Sequence, residues 1–294
     1  MRISVIVRTY NESLYLAKLL LGIQKQEIPQ GTEVEIVLVD SGSTDNTVSI
    51  AQDSGCRIVG IAKEEFSFGR SLNLGCETAT GEILVFISGH CIPVDQNWLW
   101  NLVKPVSDGN VVWTYGRQVG IQQSRYSEIR IFEKYYPPVS AIPQQGFFCN
   151  NANAALLRTV WNENRFNEEL TGLEDMHLAQ LIVNKGMKLG YVSDAAVFHI
   201  HNENWRKIKN RFEREAIALQ YIMPEVQINF TDFIRYFFSS VVLDYGEAIR
   251  EGVFFKCGKE ILFYRFAQYW GSYRGNHLHR KISRKTKENY FYPR

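Results

Sequence analysis

Apolar strands and amphipathic helices alternate through the first part of the chain, and three of the strands run straight into polar loops. Strand-like runs at Ile3–Val7, Glu35–Val39, Cys56–Ile61 and Ile83–Ile87 are separated by segments of helical character. Leu14–Gln26 carries Leu16, Leu19, Leu20 and Ile23 at helical spacing; a second helix, capped by Ser43 or Thr44, runs through Asp53; a third spans Gly69–Thr80. Strands with helices between them specify a parallel sheet with right-handed crossovers. Ligands then collect at the carboxyl ends of the strands. Arg8–Glu12, Asp40–Asp45 and Ser88–His90 all fall there.

Beyond Val111 the pattern changes. Val111–Val119 reads as a longer strand, Arg125–Tyr136 as a helix and Pro137–Gly146 as a loop holding three prolines. Cys149–Leu157 returns to the sheet, Glu174–Lys185 is helical, and Leu189–Val192 and Ala196–Ile200 are two short strands. Amphipathic helices follow at Trp205–Met223, Thr231–Ala248 and Lys259–Tyr273, and the last fifteen residues are basic, aromatic and expected to be loosely ordered. The expected fold class is α/β: a mostly parallel nucleotide-binding sheet flanked by helices over residues 1–201, with a helical C-terminal extension over 202–294.

Charge divides along the same line. Residues 202–294 hold 17 Lys/Arg against 10 Asp/Glu, a balance of +7, and residues 1–201 hold 16 against 21, a balance of −5. A basic, aromatic extension suits an anionic membrane surface; it equally suits helices packed on the catalytic domain or on a second copy in a homodimer. The overall net charge of +2 gives no indication of nucleic acid as a partner. Five cysteines without paired spacing read as reduced thiols, and the N-terminus enters a strand at once, so a cytoplasmic protein without a signal peptide is expected. No apolar run reaches the roughly 18 residues that a membrane span needs.

The loops carry groups suited to a nucleotide-sugar. Asp40, in VDSGSTDNT, can accept a hydrogen bond from a base N–H or a ribose hydroxyl, or it can serve the turn. In RTYNE, Thr9 and Tyr10 can line a base pocket and Glu12 can bind a hydroxyl. Arg70 and Asn73 lie one turn apart on a helix that faces the strand ends; they reach base or phosphate, or else stay on the surface and in the core respectively. Glu174 and Asp175 open a helix, where the helix dipole favours carboxylates and where one of them can act as a general base. His199 and His201, two apart on a strand, share a face and can reach one metal ion, or form a structural pair.

In order along the chain, SVIVRTYNE, VDSGSTDNT, GRSLNLGCETATGEILVFISGHCIP, NNANAALLR and RFNEELTGLEDMHLA resemble the family-2 glycosyltransferases with the A-type nucleotide-sugar fold. The resemblance covers residues 1–200. It implies inverting transfer of a sugar from a nucleoside-diphosphate sugar to a glycan or lipid-linked acceptor, as in bacterial surface polysaccharide synthesis, with a divalent cation such as Mn²⁺ or Mg²⁺. It assigns Thr9, Tyr10, Glu12, Asp40, Arg70 and Asn73 to the nucleotide, Asn151, Ala152 and Asn153 to the sugar and acceptor pocket, and Asp175, with Glu174 beside it, to the catalytic base. Where the family has Asp-x-Asp, this chain has Ser88-Gly89-His90. Ser88 then takes the ribose position and His90 the metal position, completed by His199 or His201. Protonated histidines replacing the metal are the alternative. A nucleotidyltransferase lacks support, because no glycine-rich basic loop follows the first strand. A non-catalytic nucleotide- or glycan-binding relative is the remaining competitor. A membrane role would place the protein peripherally, at the inner face of the membrane.

Overall fold

The computed structural model describes residues 1–277 and 290–291. The basic tail expected over the last fifteen residues therefore lies, apart from Tyr290 and Phe291, outside the described residues. The chain forms two compact units. One comprises Met1–Val119, Tyr135–Leu170 and Glu174–Ile200; the other comprises Gly120–Lys134, Thr171–Leu173 and the chain from His201 onward. Two short segments that a single division after residue 201 would leave in the front unit thus cluster with the C-terminal helices.

The first unit is built on an eight-stranded mixed sheet of order β3-β2-β1-β4-β7-β6-β8-β5. Its strands are β1 (Arg2–Thr9), β2 (Glu33–Asp40), β3 (Arg57–Gly60), β4 (Ile83–Ser88), β5 (Cys91–Pro93), β6 (Trp113–Val119), β7 (Asn153–Leu157) and β8 (Leu189–His199). β1 pairs in parallel with β2 and β4, with Thr9 opposite Asp40 and Arg8 opposite Ser88, so the three polar loops emerge along one edge. The helices of this unit are α1 (Ser13–Gln24), α2 (Thr47–Asp53), α3 (Phe68–Thr78), α4 (Trp98–Ser107), α6 (Arg158–Glu163) and α7 (Glu174–Asn184); α5 (Tyr126–Tyr135) belongs almost wholly to the second unit.

Alternation along β1 explains the layering. Ile3, Val5 and Val7 point into a core shared with Leu16, Leu19 and Leu20 of α1 and Trp98, Leu99 and Leu102 of α4. Each of these side chains is fully buried and contributes about 1.5–3 kcal/mol relative to exposure. Ile6 faces the other way, under α3.

Three expectations change on inspection. Leu189–Val192 and Ala196–Ile200 are one strand, β8, which ends at His199, so His201 lies past the sheet rather than on it. Cys91–Pro93, overlooked in the sequence, forms β5 and pairs antiparallel with β8, setting Cys91 opposite His199. Neither Ser43 nor Thr44 caps α2, which begins at Thr47. The Ser43 hydroxyl instead donates to Asp40, and the Thr44 N–H donates to the Asn11 side chain.

The second unit packs α5 with α8 (Trp205–Ile222), α9 (Phe230–Arg250) and α10 (Phe254–Asn276). A side chain at Gly275 would collide with the Glu213 carbonyl, so glycine there lets α10 approach α8 closely. Asn229 and Asp232 form a reciprocal cap on α9. Buried Asp244 on α9 accepts two bonds from Arg265 on α10 and one from the Ser127 hydroxyl on α5, which ties three helices together.

Candidate active site

The loops after β1 and β2 are bonded to each other. Asn11, in the left-handed region at φ +55°, donates its N–H to the Ser43 hydroxyl, and its side-chain oxygen accepts from the Thr44 N–H. Glu12 and Ser13 donate their N–H groups to Thr47 and Asp45. Asp40 sits at the centre of this arrangement. One carboxylate oxygen accepts from the N–H groups of Gly42 (3.0 Å) and Ser43 (2.9 Å), and the other accepts from the hydroxyls of Ser43 (2.5 Å) and Thr9 (3.2 Å). These four bonds fill the acceptor capacity of a carboxylate. Beside them, the Lys63 ammonium lies 5.2 Å from the Tyr10 ring centroid, a stacked cation that the sequence did not single out.

The Ser-Gly-His turn packs against the same loop. A Cβ at Gly89 would lie 2.9 Å from the Glu12 side chain, 3.0 Å from that of Thr9 and 3.1 Å from the Arg8 carbonyl, so only glycine fits. Ser88 is buried, and its hydroxyl makes no hydrogen bond among the described residues. His90 Nδ1 is 2.7 Å from Glu12, which explains why Glu12, expected to hold a substrate hydroxyl, instead orients an imidazole.

The opposing imidazole is His199. The two Nε2 atoms are 3.1 Å apart, and the rings stack with centroids 5.1 Å apart. Their tautomers follow from their neighbours. The Ala152 N–H must donate to the Asn150 side-chain oxygen, which also accepts from the Gln118 amide nitrogen. The Gln118 oxygen therefore faces His199 Nδ1 at 2.6 Å, and that nitrogen carries the proton. His90 Nδ1 faces a carboxylate and carries its proton likewise. In the neutral pair, the two Nε2 lone pairs then face each other, an approach that a cation or a shared proton between them would relieve. Nitrogens about 2.1 Å from one ion at a right angle are about 3 Å apart, so the pair fits a divalent metal. Each ligand is also backed by an oxygen acceptor, as metal-binding histidines usually are. Nitrogen donors favour a Mn²⁺-like ion over Mg²⁺. His201 belongs to the second unit, where its Nδ1 meets Glu128 at 2.7 Å.

Glu174 and Asp175 open α7 and are both buried. One Asp175 oxygen accepts from the Asn151 N–H and the other from the Met176 N–H, both at 2.8 Å. Burial, with the Glu174 charge beside it, still pushes the Asp175 carboxyl up to about 7. Arg8, which the sequence reading passed over, lies 3.5 Å from Glu174 and opposes this rise. The Asn151 side chain is buried, and neither its oxygen nor its nitrogen has a partner among the described residues. A native protein rarely leaves such a pair of atoms orphaned away from a ligand.

Two expected ligands are otherwise employed. The Asn73 amide donates to the Phe166 carbonyl and to Glu168, and accepts from the Phe166 N–H and the Trp161 indole. Every site it has is taken, three of the four by the 166–168 segment. Asn153 accepts from Trp98 and donates to the carbonyls of Arg117 and Ala195, deep in the sheet. Arg70 is nearly half exposed and pairs with Glu168 and Glu65.

The sequence profile of glycosyl transferase family 2 matches residues 4–165, more than half of the chain. The chain belongs to glycosyl transferase family 2. It is 28% identical over 224 residues to the O-antigen chain rhamnosyltransferase RfbN of Salmonella typhimurium strain LT2, covering 72% of this chain and 70% of that protein. Over 231 residues it is 23% identical to the poly(ribitol-phosphate) β-N-acetylglucosaminyltransferase TarS of Staphylococcus aureus strain MW2, covering 76% of this chain and 38% of that one. Among solved structures, a mannosyltransferase from Pyrobaculum calidifontis in complex with GDP-mannose and Mn²⁺ superimposes with a TM-score of 0.55 at 21% identity, over 93% of this chain and 72% of that one. Glucosyl-3-phosphoglycerate synthase from Mycobacterium tuberculosis, with Mn²⁺ and UDP, gives 0.57 at 20% identity over 74% and 78%. The family match and these relatives make the chain a glycosyltransferase, and the shared folds give it the A-type fold rather than that of a nucleotidyltransferase.

Proposed function

We propose that this glycosyltransferase moves a hexose or 6-deoxyhexose from a nucleoside-diphosphate donor to a hydroxyl of a glycan or lipid-linked acceptor during surface polysaccharide synthesis, with inversion at the anomeric carbon. The names of the family-2 relatives support the substrate class. The observation that carries the mechanism is Asp175: a buried carboxyl pushed up to about 7, held by two backbone N–H groups beside an unpartnered Asn151.

In this reading the base of the donor lies against Tyr10, and its ring N–H or a ribose hydroxyl displaces the Ser43 hydroxyl from Asp40. The Ser88 hydroxyl takes the ribose. His90 and His199, oriented by Glu12 and Gln118, would hold a divalent cation, which would supply positive charge for the leaving diphosphate. Asn151 binds a hydroxyl of the sugar or acceptor. Asp175 accepts the acceptor proton as the oxygen attacks the face opposite the diphosphate, and Glu174 with Arg8 fixes the local charge. A base with its pKa near 7 is ionised in part and strong enough to accept the proton, which suits general-base catalysis. The rate should rise with pH through about 7.

The test follows nucleoside diphosphate release from a panel of nucleotide-sugars with a glycan acceptor. Asp175→Asn should lower transfer by roughly 10³-fold, while donor-induced thermal shifts stay as in the wild type. Equal transfer rates would remove Asp175 from this role. A shared proton on His90 and His199 in place of a metal is the second reading, because the same 3.1 Å approach accommodates either. Activity that EDTA leaves intact would decide for the proton.

A further inference from the structure

The second unit carries a surface that the transfer reaction does not use. On α9, Ile234, Phe238, Val242 and Ile249 recur along one stripe, all exposed, with Phe230 before them and Leu243 beside them. On α10, Leu262, Phe263 and Phe266 are exposed, and Phe255 is 100% exposed. The stripes belong to one patch: the Phe237 ring lies 5.0 Å from Phe238 and 5.9 Å from Phe266. So large an exposed apolar area marks an interaction surface.

Charge indicates what covers it. Among the described residues, the exposed positions of α9 and α10 include five cations, Arg235, Arg250, Lys256, Lys259 and Arg274, and no carboxylate. The acids of these helices are drawn inward and engaged. Asp232 completes the cap, Asp244 binds Arg265, Glu247 pairs with Arg250, and Glu260 pairs with Arg125. Glu251, exposed in the turn between the helices, accepts from the Tyr126 hydroxyl. The sequence after α10 continues the trend, with Arg280, Lys281, Arg284, Lys285 and Lys287 against Glu288. A second copy of this face would set these cations against one another. Among the described residues no helix is long and apolar enough to cross a membrane.

We propose that the face formed by α9 and α10 docks on an anionic lipid surface, its aromatic and aliphatic side chains entering the headgroup boundary and its lysines and arginines meeting lipid phosphates. Long basic side chains in an apolar stripe suit this, because their stems lie along the apolar region while the charges reach the headgroups.

The experiment is vesicle flotation of the full chain at low salt. Vesicles of phosphatidylcholine with about 30 mol% phosphatidylglycerol should carry the protein upward, and pure phosphatidylcholine should carry at least roughly 10-fold less. Phe238→Ser, Val242→Ser and Phe255→Ser together remove three exposed side chains without opening the core, and should cut binding roughly 10-fold. Lys256→Gln with Lys259→Gln should weaken binding and reduce its dependence on salt. Wild-type protein that floats with neither vesicle overturns the proposal, as does binding that both variants leave unchanged. A concentration-dependent dimer that dissociates in the triple variant, without vesicle binding, gives the face to a second copy and also overturns it. Donor turnover in solution should be the same in wild type and triple variant. Failure of the glycosyltransferase reading would appear there, with vesicle binding intact.

Discussion

Two clusters of acids and histidines show opposite solutions to the same problem. At the strand ends, Asp175 is buried beside Glu174, Arg8 stands 3.5 Å from Glu174, and the Asp175 carboxyl rises to about 7. In the second unit, Glu128 and Glu203 share Arg211, at 3.2 Å and 2.8 Å, and His201 adds a 2.7 Å bond to Glu128. There the Arg211 charge offsets the burial of Glu203 and holds its carboxyl down at about 2, and Glu128 is lowered too, chiefly through His201. Glu128, His201 and Glu203 could hold a metal by spacing alone, but a guanidinium already supplies the cation. The histidine pair at the strand ends is backed instead by the Glu12 carboxylate and the Gln118 side-chain oxygen. A cluster that neutralises itself serves stability. One that keeps a raised carboxyl beside an unsatisfied Asn151 side chain stays ready for substrate, at a cost in stability.

The sharpest way to break this contrast is to take away the internal cation. Arg211→Met should destabilise the protein by about 3 kcal/mol, because it strips the shared cation from buried Glu128, leaving it only His201, and from partly buried Glu203; a denaturant midpoint measures it. The pH dependence should change with it. Glu203 is lowered in the folded state, so its stabilisation is present above its unfolded value and is lost as pH falls toward about 2. That acid-side loss should flatten in the variant. Next in size is the orienting carboxylate at the strand ends. Glu12→Gln should weaken Mn²⁺ binding about 10- to 100-fold, read by titration calorimetry without donor. Unchanged affinity would mean that His90 is not a ligand. The smallest effect concerns Arg8. Its charge lowers the Asp175 carboxyl, so Arg8→Gln should move the acidic limb of the pH–rate profile upward by about half a unit to one unit. A limb that stays in place would make Arg8 a packing residue.

The sequence made the front of the sheet legible because its information there is local. β1, β2 and β4 are short apolar runs, and the polar residues that end them need no partner to be recognised. What it hid depends on long-range pairing. Asn73 and Asn153 looked like ligands by type, yet each is consumed by groups far along the chain, Asn73 by Phe166 and Asn153 by Trp98 and Ala195. Glu12 found His90 across 78 residues. β5 is three residues long and exists only because β8 pairs with it, and α4 carries Pro105, which reads as a helix breaker but falls in the last turn. Arg8 and Gln118 were missed because an arginine or a glutamine in a strand carries no signature of its own. The site assignments beyond this geometry rest on the resemblance and on the experiments above.

Gly89 limits how this site can vary. A Cβ there would press on Glu12, Thr9 and the Arg8 carbonyl, whereas the His90 side chain points at Glu12 and is held by it. A side chain at position 89 would therefore have to push Glu12, and with it the acceptor that orients His90, out of place. In this chain the least chemical residue of the turn is the one with the narrowest choice.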